Sequence, residues 1–449
     1  MKKSKKFVLA ALVLLAITGL LALAGCKNDS VPETPAAKLV SISVNPPTRT
    51  VYSVGQSFDP TGMKVTATYE GGKKQEVTGW TTNFGTVAAK KGLGKEVTVS
   101  YKDGETTKTT TFTVTVFPEE VKVLTNYTNS HAPEGEWTYV AFGEWPQTIL
   151  KGDVEVDESE GKEMGMFTYY LGDDGNHYVK AEENACEAGY KYSDDSEVKQ
   201  KDESSSPSTR WFKVEPIVWR VLTTSYEAPE GGTVGEILLL AEKILTGGIP
   251  YYDVWDTDRT VDEATIHPNN YEHSAVRAWL NGLEYLYKGP DDAEQVEKND
   301  YFGKGFLQTA FTESAQDLIA DTTVDNRVTS TFGTWEKTEE NPYACDKTND
   351  KIFLLSQQEA TTSGYGFAAS SNGDSTRIRV TTDYAEATGA YQRNPSEGYG
   401  GWWWLRSPNY DYEYNARVIN NHGYALSYDS VYSSYGGVVP ALSISLGGN

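Results

Sequence analysis

Gly400-Gly401-Trp402-Trp403-Trp404-Leu405-Arg406-Ser407-Pro408 and, beyond the segment 409–435, Gly436-Gly437-Val438-Val439-Pro440-Ala441-Leu442 are the two most apolar words near the end of this 449-residue chain. Aromatic side chains bury the most area per residue, so Trp402, Trp403 and Trp404 read as core and rim packing. Arg406, set among apolar neighbours, reads as one half of a structural ion pair, because a buried charge needs a partner.

The segment between the two words has a different chemistry. From 409 to 435, most positions are Asn, Tyr, Ser, Asp or His. Tyr offers large amphipathic contact area at low entropy cost, and small polar side chains offer adaptable hydrogen bonds, which is why this mixture dominates antibody paratopes. The genetic code links the same residues: changing only the adenines of an Asn codon yields Tyr, Ser, Asp and His and never a stop. The candidate ligand-binding residues are therefore Asn409, Tyr410, Asp411, Tyr412, Tyr414, Asn420, Asn421, His422, Tyr424, Ser427, Tyr428, Asp429, Ser430, Tyr432, Ser433 and Ser434. Apolar Val418, Ile419, Ala425 and Leu426 interrupt them and are expected to face a core.

Upstream, from about residue 118, the text is aromatic-rich and mixed in period. Apolar runs at 139–142, 217–222, 236–241 and 351–356 predict strands, and helical spacing marks 274–281 and 306–319. Acidic, polar stretches at 153–163 and 194–206 read as solvated insertions. The expected product is an α+β domain of roughly 330 residues.

Taken together, Val218-Trp219-Arg220-Val221-Leu222, residues 274–281, Phe353-Leu354-Leu355-Ser356, Thr382-Asp383-Tyr384-Ala385 and the two closing words resemble a bacterial domain of unknown function. Its hallmark is Trp-Trp-Leu-Arg-Ser-Pro followed by Gly-Val-Arg-Pro-Ala-Leu, and the likeness covers most of 138–446. One departure is Val439, where that family commonly carries Arg. The resemblance implies a C-type-lectin-like fold in the form shared with formylglycine-generating enzymes. With the Tyr/Asn/Ser-rich segment at its end, the domain also resembles the variable proteins of diversity-generating retroelements, a treponemal surface lipoprotein among them. That likeness implies a ligand face between Pro408 and Gly436, held rigid by the strands on either side.

The amino-terminal part is read more simply. Lys2, Lys3, Lys5 and Lys6 precede an apolar run from Phe7 to Ala24, and Leu23-Ala24-Gly25-Cys26 closes it. This is the layout of a secretory signal, and the last four residues resemble a lipoprotein lipobox. The resemblance implies that residues 1–25 are removed and that Cys26 is acylated, anchoring the chain to a bilayer at the bacterial outer membrane or cell surface. A polar tether follows at 26–38. Residues 39–117 alternate apolar and polar in short runs broken by Asn45-Pro46-Pro47, Gly71-Gly72 and Asp103-Gly104, which predicts a small antiparallel sandwich. The segment resembles bacterial Ig-like repeats, which implies a spacer. The fold class is thus multidomain: an all-β Ig-like sandwich, then an α+β C-type-lectin-like domain at 118–449 with a candidate variable region at 409–435.

Chemistry of other kinds finds little support. Net charge is −23, about −27 once the signal lysines are gone, so nucleic acid is disfavoured as a partner. His131, His177, His267, His273 and His422 form no metal-ligand spacing, and His267 and His273 lie in a Pro/Asn-rich loop. No nucleophile elbow or phosphate loop occurs. Glu-Pro-Asn, Gln-Pro-Asp and Trp-Asn-Asp are absent, so binding without calcium is expected. Cys186 and Cys345 do not match the catalytic cysteine motif of formylglycine chemistry, although the exported location permits one disulfide. The expectation is a non-enzymatic surface lipoprotein without cofactor or metal. Its partner would be a protein or glycan outside the cell. The alternatives are an invariant envelope or adhesion protein of the same fold, and an extracellular enzyme acting on glycans through carboxylates paired in space.

Overall fold

The computed structural model describes residues 37–125, 127–128, 137–186, 191–199, 208–332, 341–392 and 398–446. The signal segment, Cys26 and the tether up to residue 36 lie outside the described residues, as do His131 and part of the acidic stretch ending at 206. No helix among the described residues is long and apolar enough to cross a membrane.

The alternating runs of the first domain fold into two facing sheets, antiparallel as expected except that Val51–Ser53 pairs in parallel with Thr106–Phe117. One has the order Leu39–Asn45, Lys64–Tyr69, Lys74–Glu76; the other has Val51–Ser53, Thr106–Phe117, Gly92–Asp103, Thr81–Thr82. Period-two alternation delivers one side of each strand to a shared core of Ile42, Tyr52, Val65, Val97, Val99, Phe112 and Val114. The sandwich runs straight into the second domain. Ser53 Oγ donates to the Val121 carbonyl at 2.7 Å and accepts from the Val123 amide at 2.8 Å. The next strand, Lys122–Leu124, already pairs with Tyr139–Ile149 of the large sheet.

That large sheet has nine strands. Its spine is Thr209–Thr223, whose 15 residues pair with His177–Glu182 at one end, Ile237–Ala241 at the other, and Tyr139–Ile149 along the opposite edge. Ile237–Ala241 then pairs with Ala441–Ile444, which pairs with Ile352–Phe353. Chain segments far apart in sequence meet there because the apolar runs are buried on both faces, leaving no solvent side to direct them outward. Trp145 lies at the centre of the core, its indole N–H donating to the Leu245 carbonyl at 2.9 Å and its ring against Phe167, Trp279, Phe306 and Tyr384.

Two expectations need correction. The helical spacing at 306–319 is split into Phe306–Ala310 and Glu313–Gln316. Phe311 leaves helical geometry to pack on Phe142 and Trp219, and the Thr312 hydroxyl starts the second helix by accepting from the Ala315 amide. The acidic stretch at 153–163 is not a loop insertion throughout: Val156–Met164 is an outermost strand of the sheet, nearly all exposed. Charged residues suit such an edge, since they discourage pairing with other chains. By contrast Ala275–Asn281 is the helix its spacing predicts, with Ser274 capping it through the Arg277 amide and left-handed Gly282 ending it. Cys186 and Cys345 form no disulfide.

The helix Asp383–Ala387 packs against Tyr139–Ile149, and the Asp383 carboxylate accepts from the Ile149 amide at 2.9 Å. Glu386 on the same helix is buried, and burial, helped by the Asp383 charge, pushes its carboxyl up from 4.5 to about 7. A raised folded-state value means the native state holds its proton more tightly than the unfolded chain. Stability from this group is full below about 4.5 and is lost as pH rises to about 7, by roughly 3 kcal/mol. Glu386→Gln is expected to raise the melting temperature at pH 8 while leaving it unchanged at pH 4.5. Calorimetry of both proteins across pH 4–8 checks this.

Candidate functional site

The region around the two closing words forms a three-stranded sheet in the order Trp403–Pro408, Asn415–Ile419, Ser427–Ser430. Trp403 faces Ile419 and Trp404 faces Val418; on the outer pair Ala416 faces Asp429 and Arg417 faces Tyr428. The first two strands are buried throughout, and the third is half exposed. The inner strand is tied to the second word by a Trp404 amide to Gly437 carbonyl bond at 3.0 Å and a Gly437 amide to Trp402 carbonyl bond at 2.8 Å. Gly436 lies on the Trp404 indole, where an added Cβ would come within 2.3 Å of the ring. Trp403 and Trp404 are core and Trp402 is rim, as expected. Arg406 pairs with Glu359. Val439 is buried among apolar neighbours, so the position where the related sequences carry Arg is here simply core.

The loops on this sheet are held from beneath. Asn269 donates its amide N–H to the Glu413 carbonyl at 3.0 Å and its side chain to the carbonyls of Tyr412 and Asn415 at 3.1 and 3.0 Å. Arg377, fully buried, spends its guanidinium on the carbonyls of Ala360, Ala368, Ser370, Asn372 and Gly423. Gly423 has φ +75° and no room for a Cβ, which would meet the Asp374 carbonyl at 2.1 Å. This glycine is thus a fixed point inside the Asn/Tyr/Ser-rich segment.

Most of the sequence-derived binding residues reach the surface. Tyr410, Asp411, Tyr412, Tyr424, Tyr428 and Tyr432 are exposed, Tyr432 to 54%. Tyr414, Asn420, His422, Ser427, Asp429, Ser430, Ser433 and Ser434 are half-buried beside them. Burial pushes the Asp429 carboxyl up from its usual range. Asn409 and Asn421 are corrections, because both are buried, one holding a turn and the other a tryptophan of the rim, rather than facing a ligand. The Asn409 side chain accepts from the Asp411 backbone N–H at 2.7 Å, and the Asn409 backbone N–H donates to the Asn415 carbonyl at 2.9 Å, closing the loop. The Asn421 side chain accepts from the Trp402 indole at 3.2 Å. Leu426 also departs from expectation: it is 39% exposed, while Ala425, Val418 and Ile419 face the core.

Several rings of the face fall into two clusters. In one, Tyr412 lies 5.6 Å from Tyr414 and 6.3 Å from Tyr428, and Trp255 closes on Tyr414 at 5.5 Å. In the other, His422 lies 4.6 Å from Tyr399 and 6.4 Å from Tyr424. The chain from Tyr424 through Leu426 to Tyr428 connects them. Sequence reasoning missed Trp255, Tyr399, Leu426 and Tyr435 as members of the face; Leu426 and Tyr435 lie inside the recognised segment 409–435, whereas Trp255 and Tyr399 come from elsewhere in the chain.

Glu413 was missed as well, and with it a polar group at the end of the same loop. His267 Nδ1 lies 3.0 Å from Asp258 Oδ1 and 3.5 Å from Glu413 Oε2. Read from the sequence, His267 is a plain loop residue; Asp258 and Glu413 stand at such unequal distances along the chain that no spacing marks the three as a set.

Residues 45–116 match the bacterial Ig-like domain (group 3) family, and residues 234–446 match a domain of unknown function (DUF6273). No curated protein and no solved structure matches the chain. The chain therefore carries a bacterial Ig-like domain in its amino-terminal part and a DUF6273 domain that holds the whole aromatic face. The match begins at 234, so the strands between 139 and 223 lie outside it, although they complete the same nine-stranded sheet.

Proposed function

We propose that this protein is a lipid-anchored surface display protein. Acylated Cys26 would hold it to the membrane, the Ig-like domain would act as a spacer, and the C-terminal domain, of C-type-lectin-like type, would present a diversified binding face. The observation that carries the reading is a concentration of exposed rings. Among the described residues, seven of the thirteen exposed large apolar side chains lie between 410 and 435, and six of those seven are tyrosines. A soluble surface seldom gathers apolar area this way without a partner to cover it. The scaffold beneath is fixed by Arg377, Asn269 and the buried tryptophans, so side chains above it can change without disturbing the core.

Diversification makes a specific demand on the gene. Sequencing its 3′ end across many isolates is expected to show substitutions at codons for Tyr410, Tyr412, Tyr424, Tyr428 and Tyr432, at positions derived from template adenines. Codons for buried Val418, Gly423 and Val431 are expected to stay fixed. Identical sequences in all isolates would leave an invariant adhesion protein with the same face, and differences spread evenly over the domain would remove the proposal.

A further inference from the structure

We propose that Asp258, His267 and Glu413 form a binding site for one divalent transition-metal ion of the zinc class, which ties the loop 409–415 to the hairpin beneath it. The three donor atoms lie within 4.8 Å of one another. Both carboxylates converge on the same imidazole nitrogen, at 3.0 and 3.5 Å. One N–H serves one acceptor well, whereas ligands about 2.0–2.2 Å from a tetrahedral ion stand roughly 3.3–3.5 Å apart. Two carboxylates with a neutral imidazole suit zinc or its neighbours, and the nitrogen donor disfavours calcium and magnesium.

The set is preorganised by its surroundings. Arg259, buried and adjacent to Asp258, donates to the His267 carbonyl at 2.8 Å, closing the two ends of the hairpin Arg259–Val261 and Ala264–Ile266, and to the Leu286 carbonyl of a neighbouring strand at 3.1 Å. Asn269, two residues beyond His267, holds Glu413 by its backbone. Such outer contacts are what a metal site needs to keep its ligands aimed. The Tyr343 ring stands edge-on to the imidazole at 4.9 Å and fixes its orientation. A cleft of about 380 Å³ opens beside His267. Asn341 lines it, buried, with an amide nitrogen that has no partner among the described residues.

The site is independent of the display reading. The test uses the mature chain stripped of metal and titrated with Zn²⁺ by calorimetry, with Co²⁺ absorbance as a second readout. One equivalent of Zn²⁺ is expected to bind. His267→Ala should weaken it by about 100-fold or more, Asp258→Asn and Glu413→Gln by at least about 10-fold, and the exposed control His177→Ala by less than about twofold. Zn²⁺ should also slow chymotryptic cleavage at Tyr410, Tyr412 and Tyr414 in the wild type but not in Asp258→Asn. Absence of stoichiometric binding, or binding that survives both His267→Ala and Asp258→Asn, would overturn the proposal.

Discussion

Simultaneous replacement of Tyr410, Tyr412, Tyr424, Tyr428 and Tyr432 by Ala is expected to lower ligand binding by at least about 100-fold while moving the melting temperature by less than about 3 °C. These five rings are all exposed, and those with ring partners touch other exposed or half-buried aromatics of the face rather than the core. Their removal therefore opens no cavity, and the cost of large-to-small change in a packed interior does not apply. Binding faces concentrate their energy in a few aromatic anchors, each worth about 1–2 kcal/mol or more, and about 2.7 kcal/mol already amounts to 100-fold. A glycan array together with a panel of host and bacterial cell surfaces gives the binding readout, and calorimetry gives the stability. A fall of more than about 8 °C would mark the tyrosines as structural and end the display reading.

The opposite outcome is expected at Arg406, on the buried strand Trp403–Pro408 beneath that face. Its guanidinium pairs with Glu359 and donates to the carbonyls of Leu354 at 2.9 Å and Asp325 at 3.2 Å. Glu359 is also engaged by the Tyr226 hydroxyl at 3.1 Å and the Ser356 amide at 2.9 Å. Burial works against the charged arginine, yet the Glu359 carboxylate holds its pKa above the ordinary value. Arg406→Ala strands that carboxylate and two carbonyls in a nearly dry site. Breaking a buried pair from one side costs about 3–5 kcal/mol, or roughly 4–7 °C for a domain of this size. A double replacement, Arg406→Met with Glu359→Leu, is expected to recover more than half of the loss, because the uncompensated charge is then gone. Equal losses in the single and double variants would show that the carbonyl contacts, not the ion pair, carry the stability.

Parts of this arrangement are legible in the one-dimensional text for local reasons. Ser274, the helical spacing after it and Gly282 specify one short helix between them, and the alternating runs of the Ig-like domain specify one sandwich through period two alone. The Tyr/Asn/Ser mixture between Pro408 and Gly436 marks the candidate binding face for the same reason, since composition needs no partner to be seen. Local reading fails where distant contact decides. Phe311 breaks a helix whose spacing is sound because Phe142 and Trp219 offer it a better burial. Asn409 and Asn421 share the composition of the face, yet the one is drawn into a turn and the other onto the Trp402 indole, and Leu426 points out where an apolar residue was expected to point in.

The order of domains, the buried tryptophan words and the exposed tyrosines were set by the sequence itself, because period, apolar content and turn chemistry act over short stretches of chain. Only tertiary structure decided which of those tyrosines share a surface, that Trp255 and Tyr399 join them, and that Asp258, His267 and Glu413 converge on one point. Such meetings depend on how nine strands pair between Lys122 and Ile444, and the pairing energy resides in contacts between segments that carry no mark of one another.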